Sequence, residues 1–258
     1  MMQLNKLIIS MTSYPARIDT VGEVFFSIFS QSVPRNLYHC VLVLCQSEFP
    51  NGLVDLPNDL QLLVRTGLIE LLWHPTNIKS HKKLMPTIAK YPDDDILVID
   101  DDVYRPEGWL QTFIDDHWQH PNDVITGLIH FYLKNDKFVS FPNYKIGCQD
   151  YGNIIPYGRP ANGHGGTLYP AHTFSDPRFF DENLFMKLTP TSDESWQFYF
   201  NIIEHKPIRL ISKAYNLWNF VTGSQNQPTA LWRVNMHGIG YDNIWKSIKQ
   251  GLENVTGG

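Results

Sequence analysis

Four apolar residues, Ile96-Leu97-Val98-Ile99, run directly into three carboxylates, Asp100-Asp101-Asp102. A short, continuous, β-branched run fits a strand buried on both faces, as in a parallel sheet. The carboxylates then stand at the strand's C-terminal end, where open α/β sheets bind ligands. Side chains alternate along a strand, so Asp100 and Asp102 are expected on one face and Asp101 on the other. Two carboxylates on one face suit a hard divalent cation, Mg2+ or Mn2+, with phosphates completing its shell. Read alone, the triplet also fits a solvated turn, because Asp is a common turn residue. Asp93-Asp94-Asp95, just upstream, is expected to be such a turn at the strand's entry.

The residues before this strand alternate between strand and helix patterns. Leu7 to Met11 and Tyr38 to Cys45 are apolar enough for buried strands, and Leu68 to Trp73 reads as a third. Between them, Thr20 and Glu23 form a capping-box pattern ahead of the stripe Val21, Val24, Phe25, Ile28 and Phe29. Asn58 can cap a short helix to Arg65, which Gly67 ends, and Ser80 to Lys90 is a helix bent or cut short at Pro86. Pro106 sits at an expected first helical position, followed by the apolar face Trp109, Leu110, Phe113, Ile114 and Trp118. Strand and helix in alternation with short connections mean a parallel sheet covering residues 1 to about 120.

The remaining residues change character. Val124 to Leu133 and Lys137 to Phe141 read as strands, Asn143 to Pro160 as a loop rich in Gly, Tyr and Pro, and Gly163-His164-Gly165-Gly166 as a glycine cluster. Ser192 can cap a helix from Asp193 to about Glu204; Ile208 to Ile211 is a last strand, and a short helix lies near Asn243 to Leu252. No repeat or linker divides the 258 residues, so one domain with two halves, 1–120 and 121–258, is expected.

Composition narrows the function. A net charge of −5 argues against a general nucleic-acid or anionic-membrane surface. The cysteines, Cys40, Cys45 and Cys148, form no CxxC pair and read as buried thiols of a reducing compartment. No signal peptide and no run approaching the roughly 20 apolar residues of a membrane span is seen, so a cytoplasmic protein is expected. His117 and His120 read as surface histidines rather than a second metal site.

Four marks in order resemble the GT-A glycosyltransferases, in particular small bacterial enzymes that build capsule or lipopolysaccharide chains. Asp100-Asp101-Asp102 matches that family's aspartate-any-aspartate motif, and Gly163-His164-Gly165-Gly166 its glycine-rich acceptor-side loop. Asp193-Glu194 matches its carboxylate doublet at a helix start, and His237 its C-terminal histidine. The doublet departs from the family's usual Glu-Asp order, which leaves open which carboxylate does the chemistry. The likeness spans about residues 5 to 245.

The resemblance implies a Rossmann-like, mostly parallel GT-A sheet flanked by helices, with a donor half and an acceptor half. It implies a nucleotide-sugar donor, a UDP-sugar by family habit, and a saccharide or lipid-linked acceptor, with peripheral membrane association through such acceptors. It implies Mn2+ or Mg2+ held by Asp102 and Asp100, with His237 as a further metal or phosphate ligand. Thr12, Tyr14 and Arg17 would bind the nucleotide, and Asp100 or Asp101 the ribose. Lys83, at the opening of a helix region, either reaches a phosphate or lies on a solvated helix face. Gly163, His164, Gly165 and Gly166 would line the acceptor. Read from its residue type, Trp196 can stack on a sugar in the acceptor site, but core packing is the better reading of it. Glu194, second in the doublet, would be the general base, with Asp193 as the other candidate; one base facing the acceptor implies inversion. Other readings are a sugar nucleotidyltransferase, a phosphohydrolase or a non-catalytic sugar-binding relative. The first lacks a Gly-rich, basic phosphate loop after the first strand, and the second an aspartate after Ile9.

Overall fold

A computed structural model describes residues 6–140, 150–226, 235 and 240–253. Its centre is a seven-stranded sheet built from β1 (Leu7–Thr12), β2 (Tyr38–Cys45), β3 (Ile69–His74), β4 (Asp95–Ile99), β5 (Val124–Thr126), β9 (Thr167–Tyr169) and β10 (Ile208–Leu210). The spatial order is β10-β5-β9-β4-β1-β2-β3. All neighbours run parallel except β9, which lies antiparallel between β4 and β5. A smaller antiparallel sheet joins β6 (Ile129–Lys134), β7 (Lys137–Ser140) and β8 (Gly158–Pro160).

The helices are α1 (Val21–Phe29), α2 (Asn58–Arg65), α3 (Met85–Lys90), α4 (Trp109–Gln119), the single turn α5 (Asn162–Gly165), α6 (Glu182–Leu188), α7 (Asp193–Ile203) and α8 (Tyr241–Glu253). Apolar side chains of alternate strand residues enter two cores. Leu7, Ile9 and Met11 pack on one face with α1 and α4, whereas Ile8, Val41 and Val98 pack on the other with α7 and α8. That double burial explains the uninterrupted apolar runs of β1, β2 and β4.

Several local expectations are corrected. Thr20 makes no side-chain cap: its hydroxyl donates to the Arg17 carbonyl, and Glu23 instead accepts from the Tyr104 hydroxyl. Pro57, not Asn58, is the residue before α2. The Ser80–Lys90 helix is a 3-10 turn, Lys79–Lys83, followed by α3, with Pro86 in the first turn of α3. α4 begins only at Trp109, after Gly108 at φ 76°, so Pro106 precedes the helix. Trp118 is exposed, and the Val124–Leu133 run is broken into β5 and β6. Asp95 is no solvated turn residue; it is buried in β4, where it accepts from His117 Nε2 at 2.9 Å and the Ala171 amide at 2.9 Å. His117 is therefore partly buried and paired. The end of the expected Asn143–Pro160 loop is a strand, β8, while 143–149 lie outside the described residues; β9 and α6 had no sequence expectation. Cys40 and Cys45 are buried and free, while Cys148 lies outside the described residues. Among the described residues no helix is long and apolar enough to cross a membrane.

Candidate active site

β4 ends at Ile99, and Asp101 and Asp102 already lie in a turn. Strand alternation therefore stops before the triplet, and the expected sharing of a face by Asp100 and Asp102 is not what the chain does. The pairing is set by the turn. Arg17 Nη1 donates to Asp101 Oδ1 at 2.8 Å and reaches Asp102 Oδ2 at 2.9 Å. Ser13 adds a 2.6 Å bond to Asp101, and Gln225 a 2.9 Å bond to Asp102 Oδ2. Asp100 points elsewhere, to Lys83 Nζ at 2.7 Å.

Lys83 joins the strand end to the carboxylate doublet. Its ammonium lies 3.6 Å from Asp193 Oδ2, and the Ser10 hydroxyl donates to its carbonyl at 2.5 Å. Asp193 and Glu194 form the first turn of α7, where the helix dipole favours negative charge. The Asp193 side chain is only 6% exposed, that of Glu194 23%. Glu194 Oε2 accepts from Arg159 Nη2 at 2.7 Å. Glu194 thus faces the open side, and Asp193 is tied inward.

The glycine cluster closes the third side. The Asp100 amide donates to the Gly163 carbonyl at 2.9 Å. A Cβ on Gly163 would lie 1.7 Å from Asp100 Oδ1, so only glycine lets the carboxylate lie against this backbone. Gly166 has φ +79°, and a Cβ there would meet the Trp109 ring at 2.5 Å. Arg105 fixes the loop, donating to the carbonyls of His164 at 2.6 Å and Gly163 at 2.7 Å. Its guanidinium stacks on Trp109 at 4.9 Å. The His164 ring donates to the Leu217 carbonyl at 2.9 Å and touches Trp218 and Phe220.

Five carboxylates (Asp100, Asp101, Asp102, Asp193, Glu194) meet four cations (Arg17, Lys83, Arg105, Arg159), and the imbalance sets proton affinities. Burial, then Asp101 and Asp100, push Asp102 up to about 7, against Arg17. Burial and Asp193 raise Glu194, against Arg159. Lys83 holds Asp100 low despite burial, and Lys83 itself stays charged because Asp100 and Asp193 outweigh its burial. Burial pulls Arg105 down to about 10. An excess of buried negative charge beside Asp102, whose side-chain bonds to Arg17 and Gln225 both fall on Oδ2, fits a cation. Mg2+ and Mn2+ need only one or two protein carboxylates when phosphates and waters complete the shell. Among the described residues no three His, Cys, Asp or Glu side chains form a ready-made metal cage. His237 lies outside the described residues.

Of the other expected site residues, Thr12 ends β1 with its hydroxyl on the Val43 carbonyl at 2.7 Å, and Tyr14 lies beside Arg17. Trp196 takes the core role and not the sugar-stacking one. It is 0% exposed, donates to the Phe179 carbonyl at 3.0 Å and packs on Phe200, so no acceptor reaches its face. It sits on the buried face of α7, whose whole middle faces the core. Sequence reasoning missed Ser13, Arg105, Arg159 and Gln225. None has a local signature, since each earns its place through a partner distant in sequence.

No family model and no curated protein sequence matches the chain. Solved structures do. The first 349 residues of Staphylococcus aureus TarS align with a TM-score of 0.52 over 96% of this chain and 72% of that one, at 16% identity. The same fragment in complex with UDP gives 0.51 over 81% of this chain and 59% of that one, at 17% identity. The mannosyltransferase PcManGT from Pyrobaculum calidifontis, in complex with GDP-Man and Mn2+, gives 0.52 over 100% of this chain and 77% of that one, at 12% identity. The chain has the GT-A fold, a mostly parallel sheet flanked by helices.

Proposed function

We propose that this chain is a glycosyltransferase that moves a sugar from a nucleotide-sugar donor, a UDP-sugar by preference, to a saccharide or lipid-linked hydroxyl. The observation that carries the reading is the Asp100–Lys83–Asp193 bridge, which sets the carboxylate turn of a GT-A sheet beside a helix-start doublet. Support comes from the nucleotides held by proteins of the same fold, UDP in TarS and GDP-Man with Mn2+ in PcManGT.

The donor diphosphate would lie over the turn at Asp100, Asp101 and Asp102, with Thr12, Tyr14 and Arg17 on the nucleotide side and Lys83 within reach of a phosphate. Asp102, with His237, would hold Mn2+ or Mg2+, and Asp100 could join them only by leaving Lys83. Bound there, the metal supplies charge neutralisation for the departing diphosphate. The acceptor would enter over Gly163, His164, Gly165 and Gly166. Glu194 would take the proton from its hydroxyl as the oxygen attacks the anomeric carbon and the nucleoside diphosphate leaves. General base catalysis of this kind contributes about 10²–10⁴-fold. With one base on the acceptor side, the anomeric carbon inverts. Bacterial surface polysaccharide synthesis, from the cytoplasmic side, is the setting this reading fits.

The test is product identity. The protein is incubated with UDP-, GDP- and CMP-sugars and Mn2+, without acceptor. Slow release of nucleoside diphosphate (or monophosphate from a CMP-sugar) supports a transferase. Pyrophosphate formed from nucleoside triphosphate and sugar phosphate would instead establish a nucleotidyltransferase, and no turnover with any donor would leave a binding protein.

A further inference from the structure

Among the described residues, Arg159 is the buried cation of the site that reaches neither the carboxylate turn nor the glycine loop. It comes from β8, opposite Phe131 of β6, and its side chain is 0% exposed. The guanidinium lies over the Tyr241 ring at 4.2 Å and beside Phe131 and Phe138 at 5.7 Å each. The carboxylate it meets is Glu194, through Nη2 at 2.7 Å, while Nε and Nη1 are buried and meet no hydrogen-bond acceptor among the described residues.

A charge desolvated in an aromatic cage, with two donors unsatisfied, is a poor device for stability alone. Apolar residues of similar volume usually serve as well or better there. The cage does something else: it removes the guanidinium's freedom. Phe131 of β6, Phe138 of β7 and the first residue of α8 hold the cation, and the cation holds Oε2 of Glu194. Oε1 takes no hydrogen bond among the described residues and belongs to a side chain that is 23% exposed.

We propose that Arg159 is a positioning residue: by fixing Oε2 it aims Oε1 of Glu194 at the attacking hydroxyl. The inference rests on the reading of Glu194 as the base. Arg159 touches neither substrate nor reacting atoms. In the step itself the acceptor O–H bond breaks, its proton goes to Oε1, the new C–O bond forms, and the anomeric C–O bond electrons leave with the diphosphate. Arg159 keeps the other oxygen occupied throughout.

The experiment is a double-mutant cycle on the full chain, with Arg159→Met, Glu194→Gln and both together. Water serves as acceptor, and nucleoside diphosphate release from the donor is measured. Thermal melting and nucleoside diphosphate binding report on folding. Arg159→Met is expected to lower kcat on the order of 100-fold, the scale of a displacement near 1 Å. Donor KM and nucleoside diphosphate Kd are expected to stay within about twofold. On top of Glu194→Gln, the same change should cost less than about twofold, because the residue it aims is gone. A full additional loss in that background, or a loss confined to KM, overturns the inference. Should Arg159→Met not fold, Arg159→Lys keeps the charge and loses the fork. It is then expected to lower kcat in part with KM unchanged, and a wild-type kcat overturns the inference. If Glu194→Gln itself releases nucleoside diphosphate at the wild-type rate, the base assignment fails. If Glu194→Gln is inactive while Arg159→Met is unimpaired, the role of Arg159 alone fails.

Discussion

Replacing Asp102 with Asn should make the ligand-free protein more stable at pH 8 while abolishing the metal-dependent nucleotide chemistry proposed for it. The Asp102 side chain is 6% exposed, and burial with Asp101 and Asp100 beside it pushes its carboxyl from 3.8 up to about 7. A carboxyl that binds its proton more tightly when folded loses stability as pH rises. The loss starts near the unfolded value, grows until about pH 7 and is then complete. Each tenfold change in proton affinity is worth about 1.4 kcal/mol, so ionised Asp102 costs about 4 kcal/mol at pH 8, with the attraction of Arg17 already included. The three adjacent carboxylates titrate together, so the relief is shared by the cluster. Asn keeps an acceptor oxygen for Arg17 and Gln225 but fits their donors less well. About 2 kcal/mol of gain is expected to survive, which is roughly 4–8 °C in Tm for a chain of this length. The assay is thermal unfolding of both proteins at pH 8 and pH 4.5 without divalent ions. The gain should be present at pH 8 and mostly gone at pH 4.5. A mutant that melts lower at pH 8, or a gain indifferent to pH, refutes the electrostatic reasoning.

Other substitutions follow from the same geometry. Gly163→Ala places a methyl 1.7 Å from Asp100 Oδ1 and must push that carboxylate off Lys83. Steady-state assays should show about a 100-fold loss of activity, and denaturant titration a loss of about 1–3 kcal/mol. Lys83→Met leaves Asp193, and with it Asp100, without the ammonium that holds them. Denaturant melts should show a cost of about 3–5 kcal/mol at pH 8 and less at pH 5, where the abandoned carboxylates take protons. Trp196→Ala removes a wholly buried ring and should cost about 3–5 kcal/mol by denaturant titration. Any protein still folded should keep its acceptor KM, which separates a core tryptophan from a sugar platform.

What the sequence discloses and what it hides follow a physical division. β1, β2 and β4 are legible because both of their faces are buried, which forces continuous apolar runs. β9 is not: Thr167–Tyr169 is three residues long, and its burial comes entirely from insertion between β4 and β5. Glu23 satisfies a capping pattern locally, yet its carboxylate is claimed by Tyr104 from another element. Asp95 looks like the end of a solvated acidic turn because its partner His117 is 22 residues away. The site divides the same way. Asp100 to Asp102 and the Asp193-Glu194 pair are contiguous, so chemistry and position are both visible in the chain. Their orientation is not, since it depends on Arg17, Lys83, Arg105 and Arg159 arriving from elsewhere. Trp196, beside the helix-start carboxylates, leaves a sugar platform and a core residue both open in sequence, and helix geometry turns it inward.

The most direct measurement of the central claim is equilibrium binding of UDP and GDP, with and without Mn2+, to the wild type and Asp102→Ala. The account predicts binding of at least one nucleotide that strengthens with Mn2+ and loses that dependence in the variant. Binding of neither nucleotide, or binding indifferent to both the metal and Asp102, would contradict the assignment of the carboxylate turn as the donor site.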